Sequence, residues 1–215
     1  MITTENLPQF TEEWLHEIAR YNHHAELLPE PNKTALLVVD MQNYFISPEG
    51  RAYLPHGAAI VQNVKRLMET FRRVERPVIF TRHVHKADGS DAGIMGWWWN
   101  DMIVEGEAQS EIFPEAAPLQ DERVILKHRY SAFYQTELDA MLRSAKVEDL
   151  VIAGVMTNLC CESTARDANF RDYRVFLPAD ATGASSEEMH LASLKNLSYG
   201  FCPVTTTRRI LQSFE

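Results

Sequence analysis

The sequence predicts an α/β fold, a three-layer α/β/α sandwich around a mainly parallel sheet, and three observations predict it. From Thr34 to the C-terminus, short apolar runs of strand length alternate with longer amphipathic stretches, the pattern of right-handed βαβ units. Three of these runs deliver Asp40, Lys127 and, after a short turn, Cys160 at or just beyond their C-terminal ends. That edge is where open α/β sheets bind ligands. The chain has 215 residues, 45% of them apolar and 24% charged, enough for one such domain with a full core.

Each element follows from local pattern. Residues 8–20, PQFTEEWLHEIAR, place Phe10, Trp14, Leu15 and Ile18 near one helical face, with Thr11 as a capping candidate. Residues 1–32 thus form an N-terminal helical extension and residues 33–215 the main domain. An amphipathic helix outside the domain should bury its apolar face on another subunit, so a homo-oligomer, dimer or higher, is expected. The first strand is about Thr34–Val39. A helix fits Gly57–Glu75, with Ile60, Val61, Val64, Leu67, Met68 and Phe71 on its apolar side. Pro77 stops it, and Val78–Thr81 is the second strand. Residues 84–118 form a long insertion containing Gly89, Gly93, Gly96 and Trp97-Trp98-Trp99. Insertions of this length carry function or disorder, and a triple Trp marks a pocket wall or a subunit interface. Then come strand Val124–Lys127, helix Gln135–Lys146, strand Leu150–Ala153, helix Cys160–Asp172, strand Arg174–Leu177, helix Glu187–Tyr199, strand Phe201–Thr205 and a terminal helical piece.

Composition narrows the function. A net charge of −9 argues against nucleic acid and against an anionic membrane surface as partners. No apolar run reaches the roughly 18 residues of a membrane span. The N-terminus, MITTENLPQF, lacks the basic and apolar regions of a signal peptide. Three cysteines, two of them adjacent, make no disulfide framework. A reducing cytoplasm is the expected location.

The chemistry concentrates in residues 150–167, LVIAGVMTNLCCESTARD. A strand run reaches Gly154, a short turn follows, and Cys160 stands where a helix should begin. Free N–H groups and the helix dipole there favour a thiolate, and the same N–H groups can receive a developing oxyanion. The bland alternative for Cys160 is a small buried core residue. Cys161 is the rival nucleophile, but it falls on the stripe Cys161, Ala165, Ala168, which looks toward the sheet. Asp40 could simply cap a turn, and Lys127 could be a solvated surface residue.

Three motifs resolve these alternatives together: V-x-D-M-Q-x-x-F at Val38–Phe45, L-K-x-R-Y-S-A-F at Leu126–Phe133, and G-V-x-T-N-x-C-x-E-S-T-x-R-D-A at Gly154–Ala168. In this order, from about Lys33 to the C-terminus, the chain resembles the isochorismatase-like cysteine hydrolases. That superfamily includes nicotinamidases, N-carbamoylsarcosine amidases and ureidoacrylate amidases. The resemblance implies Cys160 as nucleophile, Asp40 as general base, and Lys127 between them stabilising their charges. It also implies the backbone N–H groups of Met156 and Cys160 as oxyanion hole, and a cis peptide at Val155–Met156. Cys161 occupies a slot the family usually gives to a small apolar residue. Isochorismatases, which lack the nucleophile, carry Gly at the position of Cys160.

Residues following the catalytic positions are the candidate pocket lining. Asn43 and Phe45, with Gln42, follow Asp40; Tyr130, with Phe133 and Tyr134, follows Lys127; His83 and Trp97 complete the expected substrate-binding set. Arg82 and Arg129 are candidate carboxylate partners or surface ion pairs. His83 and His85 invite a metal. Nicotinamidases hold a metal at the matching place, with Asp-x-His and a further His a dozen or more residues on. Here the Asp position is His83, and no His follows before His128. No metal and no cofactor is therefore expected. The function implied is hydrolysis of a C–N bond in a small amide or ureido or carbamoyl compound through a Cys160 thioester. The alternatives are a metal-assisted nicotinamidase, isochorismatase-type vinyl-ether hydrolysis, and a non-enzymatic thiol module. Vicinal cysteines bond to each other only with strain, which weakens a redox version of the last.

Overall fold

The computed structural model describes all 215 residues. Its seven strands are β1 (Thr34–Val39), β2 (Val78–His83), β3 (Arg123–Lys127), β4 (Asp149–Val155), β5 (Arg174–Pro178), β6 (Thr182–Gly183) and β7 (Val204–Thr205). They form one sheet in the order β3-β2-β1-β4-β5-β7, with β6 pairing to β4, and every pair is parallel. Strands β1 and β4 are buried along their whole length. A central parallel strand covered on both faces must be apolar throughout, which is why these runs show no alternation.

The chain leaves β1 toward β2 and β3, and leaves β4 the other way toward β5 and β7. The crevice between the carboxyl ends of β1 and β4 is therefore the topological switch point. Val39 pairs with Gly154 there. Gly154 has φ 119°, and a Cβ on it would sit 2.1 Å from the Val39 carbonyl oxygen. Only glycine lets β4 run this close to β1. Asp40, the next residue after β1, is itself left-handed at φ 49°. A non-glycine residue rarely adopts that conformation, and such residues cluster at functional sites.

The helices are α1 (Leu7–Ile18), α2 (Asn43–Ile46), α3 (Pro55–Ala59), α4 (Val61–Arg73), α5 (Ile94–Trp98), α6 (Leu138–Ser144), α7 (Glu162–Asn169), α8 (Glu187–Gly200) and α9 (Thr207–Gln212). On one side α4 packs on β1 and β2, with α9 against it; α7 packs on β5, with α8 against α7. The expected helix over Gly57–Glu75 is in fact α3 and α4, joined at Ile60. The expected helix from Cys160 starts later. Thr157–Cys161 is a π turn, and α7 begins at Glu162. Strand β6 is too short to leave a periodic signal.

The extension corrects one expectation. Leu7, Thr11, Trp14 and Ile18 of α1 are buried within the same chain, against α8 and the 179–181 turn, and the apolar ones belong to the main core. Its apolar face is already covered, so it supplies no reason for a second subunit. The insertion also folds back: it holds α5, the bridge Gln42–Ile112 ties it to the body, and the bridge His85–Val104 closes it on itself. No helix is long and apolar enough to cross a membrane.

Candidate active site

Asp40, Lys127 and Cys160 meet at the switch point. Lys127 is the end of β3, buried to 1% exposure, and its Nζ lies 2.7 Å from Asp40 Oδ2 and donates to Cys160 Sγ at 3.2 Å. It also donates to the Arg129 carbonyl at 3.1 Å. The Thr81 hydroxyl on β2 donates to Asp40 Oδ1 at 2.6 Å and accepts the Asp40 N–H at 3.1 Å, fixing the carboxylate in its left-handed turn. The Val155–Met156 peptide is cis. The Met156 N–H donates to no group of the chain.

Burial dominates the electrostatics. It pushes the Cys160 thiol up to about 12, against the downward pull of Lys127 and with Asp40 adding to the rise. The expectation of a depressed thiol is corrected: the resting group is a neutral thiol. Burial of the sulfur disfavours the anion and outweighs the pull of Lys127. For Lys127 burial acts downward, but Asp40 and then Cys160 outweigh it, and its pKa rises. The ammonium therefore stays charged beside the carboxylate.

Cys160 forms part of the floor of a cavity of about 300 Å³, whose walls include Phe45, Met95, Trp99, Ile103, Tyr130 and Leu159. His83, His85, Asp101, Met156 and Ser185 also line it. Of the expected pocket residues, Phe45, His83 and Tyr130 are there. Asn43 is not: it starts α2 and its side-chain amide donates to the Ala108 carbonyl at 2.9 Å, away from the cavity. Trp97 is not: it is 75% exposed beside Trp98 on α5. The wall residue is Trp99, one helical step past α5, whose Nε1 donates to the Tyr130 hydroxyl at 2.9 Å. Three consecutive tryptophans gave no signal for which one turns inward. Gln42 is likewise structural: it donates to the His83 and Ser110 carbonyls and accepts the His83 N–H. Phe133 is in the core and Tyr134 on the surface. Arg82 is held by Ser110 and Glu111, and Arg129 by the Asp91 and His128 carbonyls, so neither reaches the cavity.

The histidines form a chain. The Lys127 ammonium, its three N–H groups directed at Asp40, Cys160 and the Arg129 carbonyl, lies 3.3 Å from His83 Nδ1; a cation there disfavours a proton on Nδ1 and leaves it on Nε2, 3.0 Å from His85 Nε2. That in turn places the His85 proton on Nδ1, facing Asp91 Oδ1 at 3.3 Å. Burial first, then Lys127, holds His83 well below its ordinary value, so the imidazole is neutral. Two sets of residues offer three donor atoms within 4.8 Å of one another: Asp40, His83 and Cys160, where the Lys127 ammonium already contacts all three, and His85, Asp91 and His128. Counting histidines along the sequence missed Asp91 and His128. The register His83–Lys127 brings His128 beside β2. As a metal site the second group fits poorly, because its buried donors are already committed. Both His85 nitrogens are engaged, His128 Nδ1 donates to the Val84 carbonyl at 2.6 Å, and both Asp91 oxygens accept the Lys86 N–H. No buried donor of this group is left without a partner.

The chain is similar in sequence and fold to known proteins. The chain is 39% identical over 188 residues to nicotinamidase 3 of Arabidopsis thaliana, covering 86% of this chain and 90% of that protein. A cysteine hydrolase from Pseudomonas syringae pv. phaseolicola superposes with a TM-score of 0.84 at 33% identity, over 86% of this chain and 94% of the other. N-carbamoylsarcosine amidase from Thermoplasma acidophilum superposes at 0.71 with 34% identity, over 81% and 96%. The isochorismatase domain profile matches residues 34–209, from the first residue of β1 into α9. That match spans the whole sheet and the crevice just described, and by it the chain belongs to the isochorismatase family of hydrolases.

Proposed function

We propose that the protein is a cysteine amidase that hydrolyses the C–N bond of a small, uncharged, planar amide through a Cys160 thioester. One observation carries this reading: a single buried ammonium lies between a carboxylate at 2.7 Å and a thiol at 3.2 Å, and that thiol lines an open cavity. Because the thiol rests neutral, its proton leaves as Sγ attacks the amide carbon, and Asp40 takes it. Lys127 keeps the carboxylate paired throughout. The oxyanion is received by the N–H groups of Met156 and Cys160. Asp40 passes the proton to the departing nitrogen, and ammonia leaves. Asp40 then draws a proton from water as its oxygen attacks the thioester, and returns that proton to Sγ as the acid is released.

The walls narrow the substrate. No Lys or Arg lines the cavity, and its one carboxylate, Asp101, is already held by Tyr44 and Arg51. A substrate carboxylate would enter without a cation to meet it, whereas a flat neutral ring fits between Phe45, Trp99 and Tyr130. The test is ammonia release from nicotinamide, N-carbamoylsarcosine and ureidoacrylate by the native chain and by Cys160→Ala. The expected result is the highest kcat/KM for nicotinamide and no turnover in the variant. A preference for the two acids would overturn the substrate class, and an active Cys160→Ala would overturn the mechanism.

A further inference from the structure

Behind the nucleophile turn lies a second pair of buried histidines that the chemistry above does not use. His190 on α8 is fully buried, and its Nδ1 shares a 2.8 Å hydrogen bond with the Thr157 hydroxyl. Thr157 opens the π turn and directly follows Met156. His56 on α3 accepts the Ala184 N–H at Nδ1, 3.3 Å away, and Ala184 precedes the cavity residue Ser185. The two rings pack edge-on, 4.7 Å between centroids, and Trp14 of α1 covers both at 4.4 and 5.4 Å. Trp14 is itself fixed by its Nε1 donating to Glu187 Oε1 at 3.2 Å. The His56 Nε2 is buried with no hydrogen-bond partner, and the His190 Nε2 has at most a weak contact with the Ala179 backbone.

An unpartnered buried nitrogen costs free energy that an apolar residue of similar size would not. Filling space does not explain these residues; their Nδ1 atoms face the two segments that flank the attacking thiol. Burial keeps both rings neutral, so each holds its partner by a hydrogen bond without bringing a charge near Asp40 and Lys127.

We propose that His190 is a positioning residue for the oxyanion pocket: through Thr157 it holds the Met156 N–H at the angle that receives the oxyanion. His56 braces the Ala184–Ser185 wall from the same cluster, and α1 keeps the pair dry through Trp14. This rests on the reading that Cys160 attacks and Met156 receives the oxyanion. An oxyanion donor acts only if aimed at where charge develops, and losing one costs on the order of a hundredfold to a thousandfold, so a misaimed donor should cost about tenfold. The thiol itself is held by Lys127 from the other side and should not respond.

Two reagents separate these effects on the full chain. Acylation of Cys160 by p-nitrophenyl acetate passes through an oxyanion; alkylation by iodoacetamide does not. Both are followed by intact-protein mass and peptide mapping. Thr157→Val should lower the acylation rate about tenfold and leave the alkylation rate within about twofold. Thr157→Ser, which keeps the hydroxyl, should restore acylation, and His190→Gln should behave as Thr157→Val. An unchanged acylation-to-alkylation ratio in Thr157→Val would overturn the proposal. So would an equal fall in both rates, which would mean that the turn had merely loosened. If neither reagent marks Cys160 in the native protein, the underlying reading has failed instead.

Discussion

The two sides of one π turn hold two adjacent cysteines with opposite prospects. Cys160 lines the cavity with Lys127 Nζ at 3.2 Å; Cys161 is fully buried in the core, and its N–H closes the turn on the Met156 carbonyl. Burial raises the pKa of both thiols. For Cys160 the second influence is Lys127, pulling down. For Cys161 it is Cys160 and then Asp40, pushing further up, with Lys127 last. Both residues share the same turn and the same helix dipole, so neither can explain a difference between them. What separates the cavity-side thiol from the core-side one is the Lys127 ammonium, within hydrogen-bond reach of Cys160 and only a minor influence on Cys161.

The sharpest way to break this comparison is to exchange the two roles. Cys160→Ala should abolish turnover, a loss of several orders of magnitude for a covalent nucleophile, while Cys161→Val keeps most of it. Intact-protein mass during turnover should show an acyl adduct on Cys161→Val and none on Cys160→Ala. The reverse pattern would place the nucleophile on the core side.

Removing the cation tests the cause. Lys127→Met leaves the Asp40 carboxylate buried and unpaired, which should cost about 3–5 kcal/mol in denaturant unfolding. Asp40→Asn combined with Lys127→Met should recover most of that stability and none of the activity. If the double variant stays as unstable as the single one, the pair is not what the residues contribute to the fold.

Much of this was legible beforehand, for physical reasons that also mark the limits. Central parallel strands are buried on both faces, so ALLVV and LVIAGV announce themselves and carry Asp40 and the Cys160 turn to one edge. The face of a solvent-exposed helix is less informative. The stripe Phe10, Trp14, Ile18 is plainly apolar, but nothing local says whether its cover is another subunit or, as here, α8 of the same chain. Side-chain direction in an irregular insertion is the least legible: Asn43, Trp97 and Trp99 differ only in how loop 84–118 folds back. Asp91 and His128 reach His85 through strand register and a loop, neither of which a spacing rule contains.

The same burial that lifts both thiols lowers the imidazoles, which gives a smaller, pH-dependent test. Burial takes His56 from 6.5 to about 4. Between those values the unfolded chain binds a proton that the folded one does not, so stability rises with pH in that window. The contribution is fully present above 6.5, is lost progressively as pH falls toward 4, and levels off below. The melting temperature should therefore decline on acidification from pH 7 to 4, and His56→Asn should flatten part of that decline. Identical profiles for the native chain and the variant would mean that His56 is not held neutral.

The smallest expected effect is none at all. If a metal polarised the substrate on the cavity side, the contrast between the two thiols would owe less to Lys127. The candidate donors argue otherwise: His85 is bonded through both nitrogens, to His83 and to Asp91, and His128 Nδ1 is spent on the Val84 carbonyl. An ion would have to break the His83–His85–Asp91 chain, whose tautomers the nearby Lys127 ammonium sets. Dialysis against EDTA should leave the rate of ammonia release unchanged, and His128→Ala should change it little. A metal near one equivalent per chain that restores activity lost to the chelator would show that the chain opens to bind it, and that the charge beside Cys160 is not Lys127 alone.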